Sequence, residues 1–202
     1  MLEDKDQTPA KMQRAFNILK RLAEQKEPLP AAIRMLADCY YGGIGCEPDS
    51  AEMIRLLTKA SDLGDPESKA KLAFCYVYGR GVETDTKKAL SLFREAAAAG
   101  LPMAQFKYGE MIEEGNEPGL GLADAIKWYE KSAAGSCSQA LFKLGVMKYE
   151  GVGFEKSMKD AAECFFKAAK LGYPRAQYNL ACMFLDGAGN SLAKDESAAF
   201  YW

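Results

Sequence analysis

The chain has 202 residues, 49% hydrophobic and 27% charged, an ordinary globular balance with material for one core or two small ones. That balance excludes a disordered tail, a collagen-like chain and a membrane span. With 26 Lys and Arg against 28 Asp and Glu, no basic excess exists to hold a nucleic-acid backbone. Histidine is absent altogether, which removes Ser-His-Asp triads, Cys-His dyads and His-ligated metal sites.

The start, Met1-Leu2-Glu3-Asp4-Lys5-Asp6-Gln7, is polar and lacks the basic and apolar regions of a secretory signal. No apolar run approaches the roughly 18 residues of a bilayer span. The expectation is a cytoplasmic protein without membrane insertion, or a periplasmic or secreted one if a signal peptide was removed. Residues 1–30 fit a leading helix: Thr8-Pro9 reads as a cap and an N1 proline, and Phe16, Leu19 and Leu22-Ala23 form its apolar stripe. Leu29-Pro30 then leads into a repeat.

Glycines stand at Gly43, Gly79, Gly115, Gly151 and Gly187, in steps of 36 residues, with a second glycine at Gly45, Gly81, Gly153 and Gly189 and Glu117 as the exception. Seven residues before the first glycine come Leu36, Leu72, Tyr108, Leu144 and Leu180, each followed by a small residue: Ala37, Ala73, Gly109, Gly145, Ala181. The units run 32–67, 68–103, 104–139, 140–175 and an incomplete 176–202, together a solenoid over 31–202. Each unit reads as two helices. Apolar residues at i, i+4 and i+8 mark the first, and Gly-x-Gly ends it. Asp49, Asp85 and Ser157 cap the second. That helix carries Leu57, Phe93, Tyr129 and Phe165, then Ala60, Ala96, Ser132 and Ala168, and it closes at Gly64, Gly100, Gly135-Ser136 and Gly172. Pro66, Pro102 and Pro174 open the next first helix. No segment alternates with period two, so no sheet is expected.

Leu72-Ala73-Phe74-Cys75-Tyr76-Val77-Tyr78-Gly79-Arg80-Gly81-Val82 and Lys88-Ala89-Leu90-Ser91-Leu92-Phe93-Arg94-Glu95-Ala96-Ala97-Ala98-Ala99-Gly100 carry a resemblance. The chain resembles the Sel1-like repeat family, a relative of the tetratricopeptide repeat, from about residue 31 to the end. The resemblance implies an all-α, right-handed α/α solenoid (superhelix) of about five helix pairs. It also implies adaptor roles in assembling complexes and, in bacteria, roles in signalling, host interaction or toxin immunity. Two departures stand out. Gly115-Asn116-Glu117-Pro118-Gly119 predicts a different inter-helix loop in the third unit, and the fifth unit stops at Phe200-Tyr201-Trp202 inside its second helix. The aromatic, uncapped end is a candidate for self-association.

Cysteine number six is even, and the repeat register weighs the bridges this suggests. Cys39 and Cys75 align with Met111, Met147 and Met183; Cys164 aligns with Leu56, Leu92, Trp128 and Phe200; Cys46 aligns with Val82 and Phe154. These are apolar slots. Cys137 aligns with Leu101 and Tyr173, and Cys182 with Phe74 and Val146 but also with Asp38 and Glu110. The disulfides of cysteine-rich family members would fall at Ser61, Ala97, Ala133, Ala169, Lys69, Gln105, Leu141 and Gln177, none of which is cysteine here. No disulfide, metal site or cofactor is expected.

Gly79-Arg80-Gly81 and Gly119-Leu120-Gly121 follow no strand and continue to no Gly-Lys-Ser/Thr, so they are helix terminators rather than phosphate loops. Glu113-Glu114 are adjacent on a helix and point about 100° apart, so they cannot face one substrate together. Lys87-Lys88 lie on a solvated side. No catalytic residue is assigned, and the chain is expected not to be an enzyme. The resemblance places the first helices on the concave face. There, the residue two before the Leu gives Arg34, Phe106, Phe142 and Tyr178. Two after gives Asp38, Phe74 and Glu110. Five or six after gives Tyr41, Tyr78, Glu113 and Tyr149. An aromatic floor with an acidic edge suits a peptide or helix of a protein partner with apolar anchors and some basic residues. The alternatives are an immunity or inhibitor protein against one cognate effector, and a carboxylate-based hydrolase.

Overall fold

The structure is a computed structural model that describes residues 7–186 and 194–202; the side chains of Gln7, Thr8 and Asp186 are outside the description. The expected Thr8 cap and the glycines Gly187 and Gly189 therefore lie outside the described residues. Two compact units divide the chain, Met1–Ala99 and Gly100–Trp202. The first holds α1 (Gln7–Ala23), α2 (Pro30–Gly42), α3 (Ser50–Asp62), α4 (Pro66–Tyr78) and α5 (Thr86–Ala98). The second holds α6 (Pro102–Glu113), α7 (Leu122–Ala134), α8 (Ser138–Glu150), α9 (Met158–Lys170), α10 (Pro174–Asp186) and α11 (Glu196–Tyr201). Within each unit every helix packs on the one before it. The fold is all-helical, an α-solenoid of helix pairs, with no strand among the described residues.

The boundaries follow the punctuation. Pro30, Pro66, Pro102 and Pro174 each open a helix, where a missing N–H costs nothing. The side chains of Asp49, Asp85 and Ser157 accept from the N–H groups of Glu52, Lys88 and Asp160. Gly43, Gly79 and Gly151 sit left-handed at the ends of α2, α4 and α8. The second glycine is left-handed as well, φ 72 at Gly45 and 74 at Gly81, and has a further reason: a Cβ on Gly45 would lie 2.5 Å from the Met12 carbonyl oxygen, and one on Gly81 would lie 2.9 Å from that of Ser50. The loop after α2 thus comes close to α1, and the loop after α4 comes close to α3.

Each core repeats the same slots. Leu57 and Phe93 in the first unit, and Tyr129 and Phe165 in the second, are buried, as are Ala60, Ala96, Ser132 and Ala168. Opposite them lie the small positions. A Cβ on Gly109 would come 2.8 Å from the Tyr129 ring, and one on Gly145 would come 2.7 Å from the Phe165 ring. Phe16 and Ala23 seal α1 onto the first core, and Phe16 meets Tyr40 edge-on. Cys39, Cys75, Cys137 and Cys164 are buried free thiols, and Cys46 and Cys182 are half-buried ones. Cys39, Cys75 and Cys164 thus fill the apolar slots their repeat equivalents predict.

Three local departures have physical causes. Gly135-Ser136 divides its work unexpectedly: Gly135 keeps φ −80, and Ser136 takes the left-handed conformation, φ 62, that Gly100 and Gly172 take in register with it. In the third unit α6 ends at Glu113, and Glu117, where other units carry glycine, accepts from the Tyr108 hydroxyl at 3.1 Å. The fifth unit corrects an alignment. The cap N–H donates to the carbonyl of the residue nine positions earlier in three units: Asp49 to Tyr40, Asp85 to Tyr76, Ser157 to Lys148. In the fifth unit the donor to Phe184 is Asp195, two residues later than that register predicts. The second helix is shifted accordingly. Ala199 fills the buried slot of Ala125 and Ala161, and Trp202, not Phe200, aligns with Trp128 and Cys164. Phe200 stands 94% exposed beside an exposed Tyr201. Of the aromatic end expected to self-associate, Phe200-Tyr201-Trp202, the first two residues are exposed, while Trp202 is half-buried against Phe166.

Candidate protein-binding surfaces

In the first unit α2, α3 and α4 enclose a small pocket of about 210 Å³, floored by Met53, Leu57 and Cys75 and walled by Phe74. Phe74 packs edge-on against buried Phe93 and lies parallel to Tyr78, 6.2 Å between ring centres. Tyr41 and Tyr78, both 56% exposed, flank the mouth. Arg80 joins them: its guanidinium lies 5.2 Å from the Tyr78 ring centre and 5.9 Å from that of Tyr41, and it donates to the Tyr41 hydroxyl at 3.0 Å. Asp38 and Lys71 pair across the rim at 2.5 Å. Arg34 stands apart from this group. It donates to Asp65 at 2.9 Å, and Asp65 also caps α4 through the Ser68 N–H, so Arg34 ties α2 to the start of α4.

In the second unit α6, α8 and α10 line a larger groove, about 790 Å³. Phe106 is only 7% exposed; it leans on Tyr129 and offers the groove no more than an edge. Phe142 is half-buried against Phe165 and Tyr173. The Arg175 guanidinium lies 5.1 Å from the Phe142 ring centre, and Tyr178 beside it is 71% exposed. Of the predicted floor, then, Phe106 is chiefly core, Phe74 and Phe142 are half core and half wall, and Tyr178 is free surface. Tyr149 is exposed but does not line this groove.

The acids are engaged. Glu110 pairs with Lys107 at 2.7 Å. Glu113 accepts from the Tyr129 hydroxyl at 2.5 Å and from Lys143 at 2.9 Å. Burial alone raises the Glu113 carboxyl, but those two donors outweigh it and hold the group below its usual range. The Tyr129 phenol is pushed far above its ordinary value by burial and then by Glu113. Asp38, Glu110 and Glu113 of the expected acidic edge thus stand in matched pairs. Arg80, Lys71, Lys143 and Arg175 escaped sequence reasoning because none occupies a first-helix groove position counted from the Leu. Arg80 was legible in principle, as the charged residue inside Gly79-Arg80-Gly81. Among the described residues no cluster of His, Cys, Asp and Glu could hold a metal ion, and no helix is long and apolar enough to cross a membrane.

The Sel1 repeat model matches residues 30–65, 66–101, 102–137, 138–173 and 174–202. The first residues of these segments, from Pro30 to Pro174, are the first residues of α2, α4, α6, α8 and α10. No curated protein matches the chain. Among solved structures it is similar to a Sel1 repeat protein from Oxalobacter formigenes, with 26% identity, covering 96% of this chain and 81% of that one, TM-score 0.81. It is similar to a protective antigen present in uropathogenic Escherichia coli strains, with 24% identity over 98% of this chain and 45% of that one, TM-score 0.72. It is also similar to an immunity protein from Pseudomonas aeruginosa, with 21% identity over 94% of this chain and 62% of that one, TM-score 0.53. With the last two the shared feature is the fold.

Proposed function

The chain belongs to the Sel1 repeat family, a family of generally non-catalytic protein-interaction scaffolds, and from that premise we propose that it binds a peptide or helix of a protein partner in the groove of its second unit. The observation that carries this reading is Tyr178, 71% exposed beside the half-buried Phe142 and the guanidinium of Arg175. Aromatic and arginine side chains with one face open are the groups that dominate binding hot spots. The groove is open and holds no converging unpaired acids among the described residues, which favours recognition over hydrolysis. Glu110 and Glu113 are already matched by Lys107 and Lys143, so the charge left for a partner is that of Arg175. Apolar anchors accompanied by a carboxylate therefore fit better than the basic residues a simple count of acids suggests.

The test is a peptide-display selection on the full chain, counter-selected on a Tyr178→Ser/Arg175→Ser variant. Both side chains are exposed, so the variant keeps its helicity and melting point. Peptides recovered on the wild type should carry apolar anchors and lose at least about tenfold in affinity on the variant. Recovery of no peptide that distinguishes the wild type from this variant refutes the groove.

A further inference from the structure

We infer that the first unit carries a second, separate recognition pocket, which takes one apolar side chain of a partner segment with an adjacent Asp or Glu against Arg80. The repeat itself supplies the first argument. Framework positions recur every 36 residues, whereas the pocket's rim does not. The equivalents of Arg80 are Ile44, Asn116, Val152 and Ala188, and those of Tyr78 are Gly42, Glu114, Glu150 and Asp186. Neither the guanidinium nor the second tyrosine is needed to build a helix pair.

Pre-organisation is the second argument. Arg80 is a long, rotamer-rich side chain, yet the Tyr41 hydroxyl and the faces of two rings hold it beside the pocket mouth. Its entropy of ordering is already spent before a ligand arrives. The third argument is charge. Asp38 is matched by Lys71, and among the described residues no carboxylate pairs with Arg80. The rim keeps one uncompensated positive charge over a floor of Met53, Leu57 and Cys75. At about 210 Å³ the cavity is smaller than drug-sized ligand pockets and of a size for a single side chain. An apolar residue such as Leu fills it, and the neighbouring carboxylate meets the planar guanidinium.

The pocket does not depend on the groove of the second unit, and the experiment keeps the two apart. A random heptapeptide display library is selected on the full chain and counter-selected on Arg80→Gln. Recovered peptides are then measured, as synthetic acetylated amides, on wild type, Arg80→Gln, Arg80→Lys, Tyr41→Phe and Tyr178→Ser/Arg175→Ser. Arg80-dependent peptides should share an apolar residue next to Asp or Glu. They should weaken about tenfold on Arg80→Gln, less on Arg80→Lys and Tyr41→Phe, and not at all on the second-unit variant. Added salt should weaken them further. Thermal melts of each variant should match the wild type, since Arg80 is exposed and its backbone bond to Cys75 is untouched. Recovery of no Arg80-dependent peptide overturns the proposal. So does a set enriched in Lys and Arg, or one that loses affinity on the second-unit variant.

Discussion

The hydroxyl of Tyr129 donates to the Glu113 carboxylate at 2.5 Å from a ring that is itself wholly buried, so α7 and α6 are joined by a charge-assisted bond at the edge of their shared core. Tyr129→Phe keeps the ring and removes the bond. The expected loss is about 1–3 kcal/mol in urea denaturation at neutral pH, toward the lower end because the carboxylate is partly solvated. The folded protein holds Glu113 below its ordinary 4.5, so this stabilisation is complete above that pH and fades as the pH falls through the lower folded value. The gap between wild type and Tyr129→Phe should therefore narrow on acidification. A gap of equal size at neutral and strongly acid pH would contradict the assignment.

Ser136 is the described non-glycine residue with positive φ, at 62°, in a slot where Gly100 and Gly172 stand in neighbouring units. An L side chain there costs roughly 1–2 kcal/mol, partly offset by the extra freedom glycine has when unfolded. Ser136→Gly should raise stability by about 1 kcal/mol and the melting temperature by a few degrees. No gain, or a loss, would mean that the serine hydroxyl compensates its own backbone.

Gly145→Ala sets two effects against each other. Alanine improves helix propensity by about 1 kcal/mol. Its Cβ, however, would sit 2.7 Å from a Phe165 ring that is buried and cannot swing away. Overpacking should win, with a net loss of about 1–3 kcal/mol. The smaller Phe165→Leu side chain should make the alanine less harmful, and a double-mutant cycle measures that coupling. Additive effects would show that the two positions do not compete for the same space.

Asp195 accepts from the Ala198 N–H and so starts α11 two residues later than the repeat register predicts. Asp195→Ala should weaken that short helix by about 0.5–2 kcal/mol. Hydrogen exchange is the right measurement: amides of α11 should exchange faster while those of α8 and α9 hold, because a helix of 6 residues opens below the global unfolding energy. Slowing of exchange in α11, or equal acceleration throughout, would overturn this view of the end of the unit.

Most of the helix boundaries were legible because each rests on local chemistry that one residue supplies. Pro66 cannot sit deep in a helix, Asp85 satisfies an orphan N–H, and Gly79 accepts a left-handed turn. Thirty-six-residue spacing then multiplies each weak local signal by its repetition. The fifth unit shows the limit of that method. A two-residue shift of its cap moved Phe200 out of the slot its number implies.

The surfaces were half legible. Counting from the Leu located the first-helix faces, and Tyr41, Phe74, Tyr78, Phe142 and Tyr178 do stand at the two cavities. It could not separate Phe106 from Phe142, which occupy equivalent positions. Each ring leans on the equivalent residue of the next helix, Tyr129 or Phe165, at the same 42° tilt, and each carries a cation, Lys107 or Arg175, yet Phe106 is buried and Phe142 only half-buried. Nor could it foresee that Lys107 and Lys143 would match Glu110 and Glu113, or that Arg34 would be drawn into the cap of α4.

By itself, then, the sequence determined the elements of this protein, their order and their repeat, because those depend on backbone conformation and apolar periodicity within a few turns. Only the tertiary structure decided which aromatic rings are core and which charges remain unmatched. Burial and ion pairing are set by side chains that meet across helices, and a register carries no record of the distance between them.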